Sequence, residues 1–334
     1  LVVLESRADE PEVAFDMISI TKCVVRSGLL SNTLEVGHGD EHVRISPNDG
    51  DIEAIEAYVD RVSDCYRSVE QSLQPVRRTL ETLDSQIQDG DGGRDMRLRV
   101  QSQLSEARHH ATHKDDIPTE KLRDRVDEVK SRFQRRYIEG WLDHGEQSVD
   151  AAEMALDEED YATFCETYAT AVEAVTTVET TVEDFNYVPD GATDRLDTLA
   201  DRTEGYGKEY AETTRELRDQ AAETSDEGTA ADRWLETYER YDAAYRAGWH
   251  TIDALPALDI ESDLETVVTR TAAALSAHAE ALETDGESQE SDDAEAAREG
   301  YERALDRLQR AVEIADEWPD LVAESFEDRL ASIE

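Results

Sequence analysis

Between Ile52 and Ile87 the chain repeats a pattern that leaves little freedom of fold. Apolar residues or tyrosine recur at Ile52, Ile55, Val59, Val62, Tyr66, Val69, Leu73, Val76, Leu80, Leu83 and Ile87, with spacings that alternate three and four without a miss. That period places every member on one seam of a helix, and five heptads of it predict a coiled coil. At about 1.5 Å per residue the helix spans about 54 Å. Pro75 lies inside it. An internal proline removes one backbone hydrogen bond at a cost of about 3 kcal/mol, which predicts a kink or short break near Gln74. The run Gln88-Asp89-Gly90-Asp91-Gly92-Gly93 ends the element, since adjacent glycines favour a turn.

The same style continues to the end. A second helix is expected from about Asp95 to His113, punctuation at Asp116-Ile117-Pro118-Thr119, then a long helix striped by Leu122, Val126, Val129, Phe133, Tyr137, Trp141, Val149, Ala152 and Leu156, weakened at Gly140 and Gly145. Further stripes run from Tyr161 to Phe185, Leu196 to Leu217, Trp234 to Ile252 and Leu264 to Leu282. The aromatic stripe Trp234, Tyr238, Tyr241, Tyr245 and Trp249 reads as packing, because its spacing is helical and aromatics fill cores well. Asp285 to Asp293 reads as a flexible linker. Beyond it come a helix carrying Tyr301, Leu305, Leu308, Val312 and Ala315, and after Pro319 one carrying Val322, Phe326 and Leu330.

Only the beginning departs from this plan. Pro11 to Ser27 reads as a helix with Val13, Met17, Ile20 and Val24 on one side, and Thr33–Val36 and His42–Ile45 alternate like the strands of a hairpin. A helix followed by a hairpin resembles the last part of a winged helix. The first residue, Leu1, suggests a truncated or processed start.

The expected fold is therefore all-α: an elongated antiparallel bundle of coiled-coil helical hairpins, with a small N-terminal helix plus β-hairpin element. Its expected divisions are 1–48 for that element, 49–157 for the coiled-coil hairpins, 158–284 for an acidic helical bundle, and 285–334 for the linker and a C-terminal helical pair.

Charge supplies the environment. The chain carries 81 acids against 34 Lys and Arg, a net −47 over 334 residues, with five lysines. This composition resembles that of cytoplasmic proteins of extremely halophilic archaea, so most acids read as a solvated surface. No apolar run approaches the ~18 residues of a membrane span, and the N-terminus lacks the pattern of a signal peptide. A cytoplasmic location without membrane contact is expected. Cys23, Cys65 and Cys165 are scattered and read as buried hydrophobes.

Chemistry-bearing motifs are sparse. The chain contains no phosphate loop, nucleophile elbow or H-E-x-x-H helix. Asp89-Gly90-Asp91-Gly92 starts like a calcium loop but lacks the terminal glutamate, Val100 standing there. His109 and His113 stand four apart on one helical face, and Asp116 adds an oxygen, which makes these three the metal candidate. They fall short of the four ligands of a structural site, so no metal, cofactor or catalytic residue is expected.

The distribution of charge is more telling. Residues 94–139 hold twelve cations and nine acids, a net +3, while residues 1–93 carry −11 and residues 140–334 carry −39. Arg125, Arg132 and Arg136 fall on one helical face, and with Arg108 and Lys121 they form the candidate interaction surface. Either this locally basic hairpin binds a polyanion, or its arginines pair with acids of neighbouring helices of the same chain or of a dimer partner; the pairing is favoured, since a local excess of +3 is small and the surrounding charge repels DNA. The expected function is a non-catalytic scaffold or interaction protein that binds another protein or a second copy of itself. The alternative is a nucleic-acid-associated regulator using the N-terminal element and the basic hairpin.

Overall fold

Among the described residues, the start of the chain is built of two strand groups. In the computed structural model, which describes residues 2–4, 11–14, 20–27, 32–38, 41–46, 51–90, 92–112, 117, 119–252, 260–290 and 293–319, β1 (Val2–Leu4) pairs antiparallel with β2 (Pro11–Ala14). A three-stranded antiparallel sheet follows in the order β3 (Ile20–Ser27), β4 (Asn32–His38), β5 (Glu41–Ile45). The expected hairpin is β4–β5, but the described parts of the expected helix from Pro11 to Ser27, residues 11–14 and 20–27, are strands. The cause is local: the register shifts between Ile20 and Lys22, so Ile20 and Cys23, three apart, both reach the core and mimic a helical period. The β-branched run Val24-Val25 favours the strand. The winged-helix resemblance loses the helix it required.

Residues 1–140 form the first of two compact units. Its sheet packs Ile20, Cys23, Leu34 and Val36 onto Ile52 and Val59 of α1 (Ile52–Gln88). The Val25 N–H at the β3 edge donates to Glu56 Oε1 at 2.9 Å, so a helix side chain takes one donor of this edge. Asp51 caps α1 by accepting from the Glu53 and Ala54 amides. The helix passes through Pro75 without the expected break, because Leu73 and Val76 on either side are fully buried and hold both halves to the core. Pro75→Ala is accordingly expected to stabilise the protein, by up to about 3 kcal/mol, read as a raised melting temperature in molar KCl; a lowered one would show that the proline is built into the packing. α2 (Arg94–Thr112) and the first part of α3 (Glu120–Asp157) complete the unit.

Residues 141–334 form the second unit. It comprises the rest of α3 with α4 (Tyr161–Phe185), α5 (Ala192–Glu223), α6 (Glu227–Arg246), a 3-10 turn at Trp249–Thr251, α7 (Ile260–Gln289) and α8 (Ala294–Glu317). Asp160, Asp226 and Asp293 cap α4, α6 and α8, so part of the acidity serves helix initiation. α3 is not weakened at Gly145: a Cβ there would lie 2.6 Å from Leu199 Cδ2, so the missing side chain lets α5 approach. On α5, Arg195 bonds Asp143 and Glu146, and Arg202 bonds Asp150 and Glu153, all on α3. Arginines seven apart thus meet an acid ladder of matching period.

The aromatic stripe is core, and it divides. Trp234, Tyr238 and Tyr241 pack with Leu264, Val268 and Leu275 of α7 and Ile314 of α8. After α6 ends, Gly248 at φ +76° turns the chain so that Trp249 enters a second cluster with Phe164, Tyr168 and Tyr210.

The expected linker at Asp285–Asp293 is largely helix. α7 continues to Gln289, and a Cβ on Gly286 would meet the Tyr301 ring at 3.1 Å, so this glycine marks a close approach of α8 and not a hinge. The expected seam of α8 is also displaced. Ala297, Gly300, Ala304, Leu308, Ala311 and Ile314 are its buried line, whereas Tyr301 and Leu305 are exposed. Small residues won the interface because they let two helix backbones draw together. Val322, Phe326 and Leu330 lie outside the described residues. Among the described residues no helix is long and apolar enough to cross a membrane.

Candidate interaction surface

Each basic residue singled out above has a definite place on α2 or α3. Arg125 Nε lies 3.2 Å from Glu70 Oε1, and Arg136 bonds Asp84, both acids being on α1. Glu70 is shared with Arg77 of α1 itself. Arg108 stands 3.9 Å from Asp127 across α2 and α3. Arg132 and Lys121 are exposed, with no acid within 4 Å among the described residues, as are Arg94 and Arg99 on α2. The row of three arginines is therefore divided: its ends fasten α3 to α1 and its middle faces solvent. Each such exposed pair contributes about 0–1 kcal/mol.

The metal candidate is only partly described. His109 is exposed and its ring contacts His110 edge-on, while His113 and Asp116 lie outside the described residues. Among the described residues no group of three His, Cys, Asp or Glu side chains is arranged to hold a metal. Thiol chemistry is disfavoured by burial, which pushes the Cys23 thiol up to about 11 and the Cys165 thiol up to about 12.

The sheet has a charged outer face. Glu35 on β4 is buried there, bonded by Arg26 Nε at 3.0 Å, with Arg44 at 3.9 Å. The Arg26 hydrogen bond, aided by the charges of Arg26, Lys22 and Arg44, holds its carboxyl below the usual glutamate range. Lys22, Arg26 and Arg44 surround this single acid. Cations cluster here in an acidic protein, and the acid-free stretch Met17 to Leu34 is their signal in the sequence.

The second unit offers a cleft of 360 Å³ lined by Tyr161, Tyr238, Glu239, Asp242, Arg246 and Arg310, among others. Burial raises the carboxyls of Glu239 and Asp242, and arginines answer both: Arg246 Nε is 2.8 Å from Asp242, and Arg310 is 3.9 Å from Glu239. Tyr238 donates to Glu317 at 2.6 Å and accepts from Trp318 at 3.2 Å. These contacts tie the end of α8 to α6.

What sequence reasoning missed is the uncovered face of α8. Leu305 is 56% exposed and Tyr301 36%, one turn apart, continuing into half-buried Val312. Among the described residues, Met154, Leu98, Val188 and Tyr58 are the other large exposed apolar side chains. The sequence carries two parallel stripes on α8, and the small one has too little hydrophobic signal to displace the large one as the expected buried seam. Comparison with protein-family models, with curated proteins and with solved structures finds no match.

Proposed function

We propose that this chain is a non-catalytic interaction protein of a halophile's cytoplasm, whose helices dock another protein or a second copy in coiled-coil fashion. The observation that carries the reading is the second stripe of α8. Ala297, Gly300, Ala304 and Ala311 already bury the helix against α7, yet Tyr301 and Leu305 stand exposed at coiled-coil spacing with Leu308 and Val312 behind them. Leu308 and Ile314 share in that closure and the Tyr301 ring lies against Gly286 of α7, so what the fold leaves over for a contact is Leu305 and the exposed edge of Tyr301. A contiguous exposed apolar patch marks a contact surface, whereas single exposed apolar residues need no explanation. Arg125 and Arg136 support the same reading indirectly, since their acids on α1 occupy groups that a polyanion would otherwise engage.

The test is a molar mass in multimolar KCl. Wild-type protein is expected above the 37.5 kDa of one chain, alone or with its partner present, and Tyr301→Glu with Leu305→Glu is expected to return it to one chain at unchanged helicity. Equal masses for both proteins in every mixture would refute the assignment of α8.

A further inference from the structure

The structure assigns a second binding surface, on the N-terminal sheet: the open edge of β5 receives an extended acidic polypeptide segment as a fourth strand. Two independent observations meet there. Among the described residues β5 hydrogen-bonds only to β4, whereas on the opposite edge the Val25 N–H is already taken by Glu56. An unpaired edge presents alternating backbone donors and acceptors, which is the template for strand addition. Second, the outer face beside that edge is cationic: Arg44 lies on β5 and Lys22 and Arg26 on β3, with Glu35 the one acid between them.

Arg44 is the residue positioned to read the ligand. Its side chain is 75% exposed and only 3.9 Å from Glu35, which Arg26 already bonds at 3.0 Å. A carboxylate directly opposite on an added strand would meet it at cross-strand distance. The inner face asks for something else, because Val43 and Ile45 are only partly buried against the core of the sheet and α1. The ligand is thus a strand in which carboxylates alternate with β-branched apolar residues.

Other occupants fit less well. If two copies paired through β5 antiparallel about Val43, Arg44 would face His42 of the second copy, with no acid on that face of either strand. Nucleic acid would use the cations but not the backbone edge. This proposal concerns a surface different from the α8 stripe and does not rest on it.

The probe is a labelled peptide of about six residues alternating Glu and Val, titrated into the full chain in molar KCl with fluorescence anisotropy as readout. Saturable binding is expected for this peptide and not for its Lys-for-Glu counterpart. Arg44→Glu should weaken binding about fivefold, the scale of one cross-strand pair, and Arg44→Ala by somewhat less. On wild-type protein, N-methylation of alternate peptide amides should abolish binding if the edge is used. Unchanged affinity for the N-methylated peptide, displacement by a single-stranded oligonucleotide, or failure of the Glu-Val peptide to bind folded protein would each overturn the proposal.

Discussion

Dialysis from molar KCl into millimolar salt is expected to melt this protein in two stages, residues 141–334 first. The total charge is −47, but it is unevenly held: residues 1–140 carry −8 and residues 141–334 carry −39. Screening extends over about 3 Å at 1 M salt and about 30 Å at 0.01 M. Carboxylates on one helical face therefore ignore each other in molar KCl and repel across the whole unit in dilute buffer. A domain's stability of about 5–15 kcal/mol is small beside the sum of such terms. Ion pairs such as Arg195–Glu146 and Arg218–Asp263 oppose the repulsion, but acids far outnumber arginines in this half. The two stages can be read separately. All four tryptophans, Trp141, Trp234, Trp249 and Trp318, lie in the second unit, so their fluorescence reports it alone while far-UV circular dichroism reports both. The fluorescence midpoint should fall at higher KCl than the dichroism midpoint. Coincident midpoints would mean that the units unfold as one, and equal helicity at both salt extremes would mean that packing outweighs repulsion.

Trp249→Ala is expected to be the most damaging single substitution in the second unit, costing about 3–5 kcal/mol. The indole is buried, its Nε1–H donates to the Cys165 carbonyl at 2.9 Å, and its ring lies 4.7 Å from Tyr168 and 5.3 Å from Tyr210. It is the keystone by which the turn after α6 seals α4 against α5. Phe164 packs within 4.7 Å of Tyr210 in the same cluster, so a void here strips contacts from several rings at once. Trp249→Phe keeps most of the apolar volume and loses the hydrogen bond, for about 1–2 kcal/mol. Urea unfolding in molar KCl, followed by the three remaining tryptophans, measures both. A cost for Trp249→Ala below that of Trp249→Phe would show that the cluster collapses without it and that the packing argument is wrong.

The helices were legible because large apolar side chains at three-four spacing leave one solution, as from Ile52 to Ile87. The failures share a cause: each depends on something a single-residue pattern does not carry. Ile20 and Cys23 look helical until the register shift that puts both inward is known. Gly286 looks like a hinge until Gly300 and Tyr301 are seen against it. Pro75 looks like a break until the burial of Leu73 and Val76 is weighed against one lost hydrogen bond. The candidate surface was legible as composition, in the basic run 94–139, but which arginines are paired depends on Glu70 and Asp84 of a helix far away in sequence. Stripes of alanine and glycine carry little hydrophobic signal, so the true seam of α8 passed unnoticed beside the louder one.

The interaction reading stands or falls with the exposed stripe of α8. The most direct measurement is a pull-down in multimolar KCl from cells that hold tagged and untagged copies of the chain, with wild-type and Tyr301→Glu, Leu305→Glu baits side by side and their folding matched by circular dichroism. The untagged copy or one defined protein should be retained by wild type at near-stoichiometric yield and lost from the double variant. Equal retention by both baits, or retention of nucleic acid and no protein, would contradict it.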